Sequence, residues 1–335
     1  MLSIPLLLST ALATGPSSPI SGAGNDRPGI DLHAWAEGGW LATQGTAVGG
    51  FQQHPYLAMA RISSRLDHTM SRYRVDENFG SFLQMEAREG TVELLDARVE
   101  LDVGERLHLR AGRFKAPVSH EFQVPAMKMI TRRRPHYLDI VPQRHTGVEL
   151  DLRSTGSPDR TDLQLGAFGA DDPWAHGEHT GDDTLLTARV RHVTEHHLLL
   201  HAAYVERLGL SEGERERGAH VLRELDVAGG LEREDAQVMF EAVVADMGHG
   251  LHRPAYGGGV IVGRRIGDFD GDRVAFEPTV AADALVEEGQ LEMCEHVGVN
   301  VFWDGWNLVQ QNQVSFSQAP EGTKWTATAQ IRAGF

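Results

Sequence analysis

Residues 128–134 hold four cations, Lys128 and the run Arg132-Arg133-Arg134. Arginine presents a planar fork that donates two parallel hydrogen bonds to phosphate-like or carboxylate oxygens. At the narrowest point of a water-filled passage, such a cluster selects anions. On an open surface it is a solvated basic loop paired with nearby carboxylates. Other constellations carry less. His176, Glu178, His179, Asp182 and Asp183 gather in one connection, but no third His or Cys completes a zinc set. Asp268, Asp270 and Asp272 alternate around Gly271 without EF-hand order or a closing bidentate Glu. The chain contains no Gly-x-Ser-x-Gly elbow, P-loop or dinucleotide fingerprint. Its one cysteine, Cys294, excludes an intramolecular disulfide framework and reads as a small side chain in a strand. No enzyme, metal or cofactor is expected.

The segments that position these residues alternate. Reading back from the C-terminus, Phe335, Ala333, Ile331, Ala329, Ala327 and Trp325 are apolar, separated by Gly334, Arg332, Gln330, Thr328 and Thr326. A strand sends successive side chains to opposite faces. Leu95, Ala97, Val99, Leu101 and Val103 share one face of such a segment, and Asp96, Arg98, Glu100 and Asp102 the other. Val148, Leu150 and Leu152 oppose Glu149, Asp151 and Arg153; Leu186, Ala188 and Val190 oppose Thr187, Arg189 and Arg191. An Arg or Lys facing lipid at mid-membrane costs about 2–4 kcal/mol, so these charged faces must meet water or one another. Closing the whole chain on an aromatic residue is how bacterial outer-membrane barrels finish.

Hydrophobic content is 41%, yet no uncharged apolar run reaches the length of about 18 residues that a spanning helix needs. In a membrane, such a chain must be a closed barrel, because only helices and barrels satisfy every backbone group in lipid. The expected fold is therefore all-β, a transmembrane antiparallel barrel. About sixteen segments of roughly 9–11 residues are visible, near 30–40, 56–66, 81–89, 92–103, 106–115, 144–153, 160–169, 184–193, 196–206, 218–228, 236–246, 256–266, 272–285, 290–303, 306–317 and 324–335. Residues 68–76 leave fourteen or eighteen strands open. Connections from the fourth segment on mostly alternate short and long, with the longest at 116–143 and a candidate helix within 119–130. Gly257-Gly258-Gly259 reads as a hairpin turn. Trp303, Trp306 and Trp325 fall near segment ends, where an interfacial aromatic girdle places them. Residues 1–13 resemble a signal peptide ending at Ala11-Leu12-Ala13, and 14–29 read as a flexible lead-in to a barrel domain over 30–335. The net charge of −16 excludes nucleic acid as a partner.

The chain resembles the phosphate-selective porin O/P group of outer-membrane channels in four places: Leu94-Leu95-Asp96-Ala97-Arg98-Val99, Leu109 through Pro117 with its Gly112-Arg113-Phe114-Lys115-Ala116-Pro117, Arg132 through Leu150 with Arg144 shortly before Gly147-Val148, and Gly298-Val299-Asn300-Val301-Phe302-Trp303. The resemblance implies a sixteen-stranded barrel, a homotrimer and an inward-folded third loop that narrows the pore. It adds Lys115 and Arg144 to Lys128, Arg132, Arg133 and Arg134 as constriction cations, and places Arg61 and Arg65 on one face of an early strand. Lumen-facing charges are then Arg61, Arg65, Asp96, Arg98, Glu100, Asp102, Glu149, Asp151, Arg189 and Arg191. Phe335 becomes the signal read by the outer-membrane assembly machinery. The implied partners are outer-membrane lipid and small hydrophilic solutes or anions. Arg98 replaces the family's aromatic, and the lumen carries many carboxylates, so phosphate specificity does not follow. A closed barrel that only presents its outer loops is the alternative.

Overall fold

The computed structural model describes residues 29–335 except 46–49, 71–76, 89–90, 126–127, 133, 156–157, 170–182, 210–220, 234, 250, 268–273, 306 and 335. The leader and most of the lead-in lie outside these residues. So do Arg133, Trp306, Phe335 and both acidic clusters apart from Asp183.

Sixteen antiparallel strands form a closed barrel: β1 Gly29–Gly45, β2 Gly50–Met70, β3 Glu77–Arg88, β4 Thr91–Val103, β5 Leu107–Lys115, β6 Arg144–Arg153, β7 Arg160–Gly169, β8 Thr184–Val193, β9 Leu198–Leu208, β10 Val221–Glu232, β11 Ala236–His249, β12 Leu251–Arg264, β13 Ala275–Glu287, β14 Gln290–Asp304, β15 Leu308–Ala319 and β16 Gly322–Gly334. Each pairs with its sequence neighbours, and β16 returns to β1 over Trp35↔Gly334 to Gly45↔Lys324. Closure removes the free edge that an open sheet would expose. The shortest strand, β5, has 9 residues, enough for a tilted strand to cross a bilayer core. Strong local signals fix parts of the register. Glu288 (φ 52°) and Gly289 (φ 76°) both take positive φ between β13 and β14, the two-residue turn that matches strand twist.

Alternation appears directly in exposure. Val99, Val148, Val190, Leu200, Leu225, Phe240, Val260, Val280, Val297, Val314 and Ile331 are exposed on the outer face. Glu100, Glu149, Arg189, His201, Glu224, Glu241, Asp283, Asn300, Gln313 and Arg332 are buried on the inner one. An apolar belt running round nearly the whole sheet far exceeds the patches that soluble monomers expose.

Residues 68–70 of the stretch that left the strand number open belong to β2, and 71–76 lie outside the described residues. Three expectations are corrected. The helix within 119–130 shrinks to the single turn α1, His120–Gln123; Pro125 follows at once and cannot continue it. Gly257-Gly258-Gly259 is no hairpin turn but lies inside β12, paired with Val243-Ala242-Glu241. Leu95 is not on the exposed face: the β3–β4 register skips it between Gln84↔Asp96 and Met85↔Leu94, and this bulge leaves it buried. The alternation of short and long connections also stops midway. The connection after β11 is Gly250 alone, and those after β13 and β15 are 288–289 and 320–321.

Candidate functional site

Residues 116–143 leave the wall after β5, cross the barrel interior and return into β6. Their path is set by polar groups on inner faces. Ser119 caps α1 by accepting from the Phe122 amide at 3.0 Å. The Glu241 carboxylate on β11 accepts from the His120 and Glu121 amides at 2.8 and 3.0 Å. An anion at that end also satisfies the helix dipole. The same carboxylate accepts from the Tyr137 hydroxyl at 3.0 Å, so one side chain holds the outgoing and returning limbs of the loop. Asp283 on β13 accepts from the His136 amide at 2.8 Å and meets its Nδ1 at 3.0 Å, which raises the His136 pKa. His136 opens the 3-10 turn His136–Ile140. Farther along the wall, Asn300 and Gln311 donate to the Ile130 and Met129 carbonyls, and Gln313 accepts from the Arg132 amide.

The glycines of β12 make room for this docking. Gly257, Gly259 and Gly263 share the inner face, and a Cβ on Gly257 would lie 2.3 Å from that of Tyr137. One on Gly263 would lie 2.9 Å from Ile130 Cδ1. Around them, Phe122, Tyr137, Leu138, Ile140 and Val141 of the loop pack with Phe168, Leu185, Val205, Val243, Met247 and Ala255 of the wall. The interior from β7 to β13 is therefore filled by the loop around an apolar cluster, beside buried polar groups such as Arg189, His201, Glu224 and Glu241.

The opposite wall is charged. Register places Glu100, Arg110 and Glu149 side by side across β4, β5 and β6, and Asp102, His108 and Asp151 likewise. Arg110 reaches Glu149 at 3.1 Å, Arg98 reaches Glu100 at 2.6 Å, and Arg65 lies 3.7 Å from Glu100. Arg61 pairs with Glu86, and Arg144 donates to Asp96 at 3.3 Å. Arg153 pairs with Asp151 at 2.8 Å and lies 4.0 Å from Asp102. On β7 and β8, within the half that the loop fills, Arg189 donates to Gln164 at 3.0 Å and Arg191 lies 3.8 Å from Asp162. Water reaches parts of the charged wall: Arg65 retains 47% of its side-chain exposure and Arg110 retains 21%, while the carboxylates they pair with, Glu100 and Glu149, are buried. On the other half, His201 and Asp226 retain 0%.

The six expected constriction cations divide. Lys115, Arg134 and Arg144 converge on Phe122, their charged ends 5.0, 5.3 and 6.0 Å from its ring. Lys115 donates to the Phe122 carbonyl, and Arg134 to those of Glu121 and Val124, satisfying the open end of α1. Burial pushes the Arg134 pKa down to about 10, with Glu121 opposing the fall and Arg144 and Arg61 adding to it. Arg132 instead donates to Gln330 at 3.3 Å, and Lys128 is exposed. Asp183 pairs with Arg207 at 2.9 Å. Sequence reading passed over Glu241, Asp283 and Tyr137, and took the β12 glycines for a turn. Nothing local to Glu241 or Asp283 marks which inward acids meet the loop.

No family model matches the chain, and no curated protein sequence matches it. Solved structures match its fold. A loop-deletion mutant of OmpT, an outer-membrane protein of Vibrio cholerae, superposes with TM-score 0.67 at 8% identity, over 92% of this chain and all of that one. The anion-selective porin of Comamonas acidovorans gives 0.66 at 11%, over 92% and 100%. Salmonella typhi OmpF, in complex with daunomycin, gives 0.67 at 12%, over 93% and 99%. The fold is that of the sixteen-stranded porin-type barrel.

Proposed function

We propose that this protein is a porin of the bacterial outer membrane. Small hydrophilic solutes diffuse through it without chemical change, along the passage left between the docked third loop and the charged wall of β2–β6. The observation that carries this reading is the division of the interior into a half filled by the third loop and a half that the loop leaves uncovered, where Arg65 and Arg110 keep contact with water. The exposed apolar belt supports immersion in lipid. Arg134 and Arg144, with Arg61 near them, give the passage a local positive field despite the acidic chain. Anions are the preferred solutes. Facing rows of cations and carboxylates add a transverse field that orders water and disfavours apolar solutes. The motifs shared with the phosphate-selective porins support this placement of the cations but not phosphate specificity. A homotrimer fits the same reading, since a solved OmpT structure is described as a trimer form. The packed half favours one second reading, a closed barrel that presents its outer loops.

Liposome swelling with small sugars separates the two, since a closed barrel admits none. Reversal potentials across a salt gradient then test the cations. Replacing Arg144 by Gln is expected to lower anion preference; an unchanged potential removes it from the passage.

A further inference from the structure

We propose that Cys294, Asp283 and His136 form a binding site for a borderline divalent metal ion such as Zn²⁺ or Co²⁺, pinning the third loop to the barrel wall. Register places Asp283 of β13 directly beside Cys294 of β14, both buried on the inner face. His136 reaches them from the loop. One donor atom from each of the three lies within 4.8 Å of the other two, near the spread that a single ion spans. Thiolate, imidazole and carboxylate together are the ligand types that bind zinc and cobalt, and a thiolate selects against magnesium and calcium. The charges balance, because one thiolate and one carboxylate neutralise a divalent ion in a wall of low dielectric.

The surroundings are built like a supporting shell. Gln313 Nε2 donates to His296 Nδ1 at 2.8 Å, which leaves the proton of that ring on Nε2, 3.5 Å from Asp283 Oδ2. His296 therefore orients the carboxylate, the part that outer partners play at metal sites. Ser315 holds the same ring at 2.8 Å. His136 keeps 37% of its side-chain exposure, so the site opens to water and leaves a coordination position for it. Binding replaces the proton between His136 Nδ1 and Asp283 Oδ1 with the ion and releases the thiol proton to solvent. The plain alternative is a buried thiol beside a histidine–aspartate hydrogen bond.

Because the chain has a single cysteine, one spectrum decides. Co²⁺ is titrated into the reduced, detergent-solubilised full chain. The expected result is a near-ultraviolet thiolate-to-cobalt band that saturates at one equivalent and is absent in Cys294→Ser. His296→Ala keeps the band but weakens binding about 10–100-fold. Heat-modifiable migration on gels shows whether each variant is a folded barrel. A folded wild-type chain without the band, or a band that survives Cys294→Ser, overturns the site. Weak visible absorption alone, from exposed histidines, overturns it as well.

Discussion

The two halves of the barrel interior follow one alternation rule and reach opposite outcomes. On β2–β6 most inward positions are Arg, Glu and Asp, paired across strands, with Arg65 and Arg110 still touched by water. From β7 to β13 many inward positions are Phe, Leu, Val, Met, Ala or Gly, and the third loop fills the space. The period-2 pattern dictates a barrel in both halves. What differs is whether the inward side chains leave a surface that another segment of the same chain can cover. Charged ladders satisfy one another and repel an apolar loop; a smooth glycine strip flanked by two well-placed carboxylates, Glu241 and Asp283, accepts it.

The largest effect is expected from roughening that strip. Gly257→Val drives a side chain into Tyr137, and overpacking of this kind costs about 1–3 kcal/mol. The loop should leave the wall, raising single-channel conductance several-fold and opening 116–143 to protease. Unchanged conductance and cleavage would show that the packed half does not depend on the glycines. Next comes Glu241→Ala, which strips acceptors from the His120 and Glu121 amides and the Tyr137 hydroxyl. A buried donor left unsatisfied costs about 1–3 kcal/mol, so the thermal midpoint should fall while anion preference holds. A smaller effect is predicted from Arg65→Glu on the wet wall. Stability should move within about 0.5 kcal/mol, because the side chain is largely exposed, while the reversal potential shifts toward cations.

The smallest effect concerns pH. Burial beside Glu241 pushes the Glu121 pKa up to about 7, against the pull of Arg134. The docked loop binds this proton more tightly than the unfolded chain does. Its contribution to stability is therefore complete below the ordinary carboxylate range and is lost as pH rises through about 7. Thermal midpoints measured between pH 5 and 8 should decline in the wild type relative to Glu121→Gln. Parallel curves would place Glu121 in contact with solvent.

Much of this was legible in the sequence. The sixteen segments stand in the sequence because a half-lipid, half-lumen strand must alternate, and β6, β7 and β8 occupy the same residues that alternation marked. The segment expected at 236–246 starts where β11 does, whereas the one expected at 218–228 stops short of Glu232 because Gly229 and Gly230 break the pattern. The glycine triplet misled for a related reason. Glycine marks turns, yet it also marks places where another backbone comes close, and only the fold tells the two apart. The cation cluster at 128–134 was visible as charge. Its division between Phe122, Gln330 and solvent depends on a loop path set by Glu241 and Asp283, more than a hundred residues away in sequence.

The most direct test of an uncovered half beside a filled one is single-channel recording of the wild-type protein in planar bilayers across a salt gradient. Discrete steps with a reversal potential on the anion side are predicted. A folded, heat-modifiable barrel that inserts into the membrane yet passes no current would contradict the account.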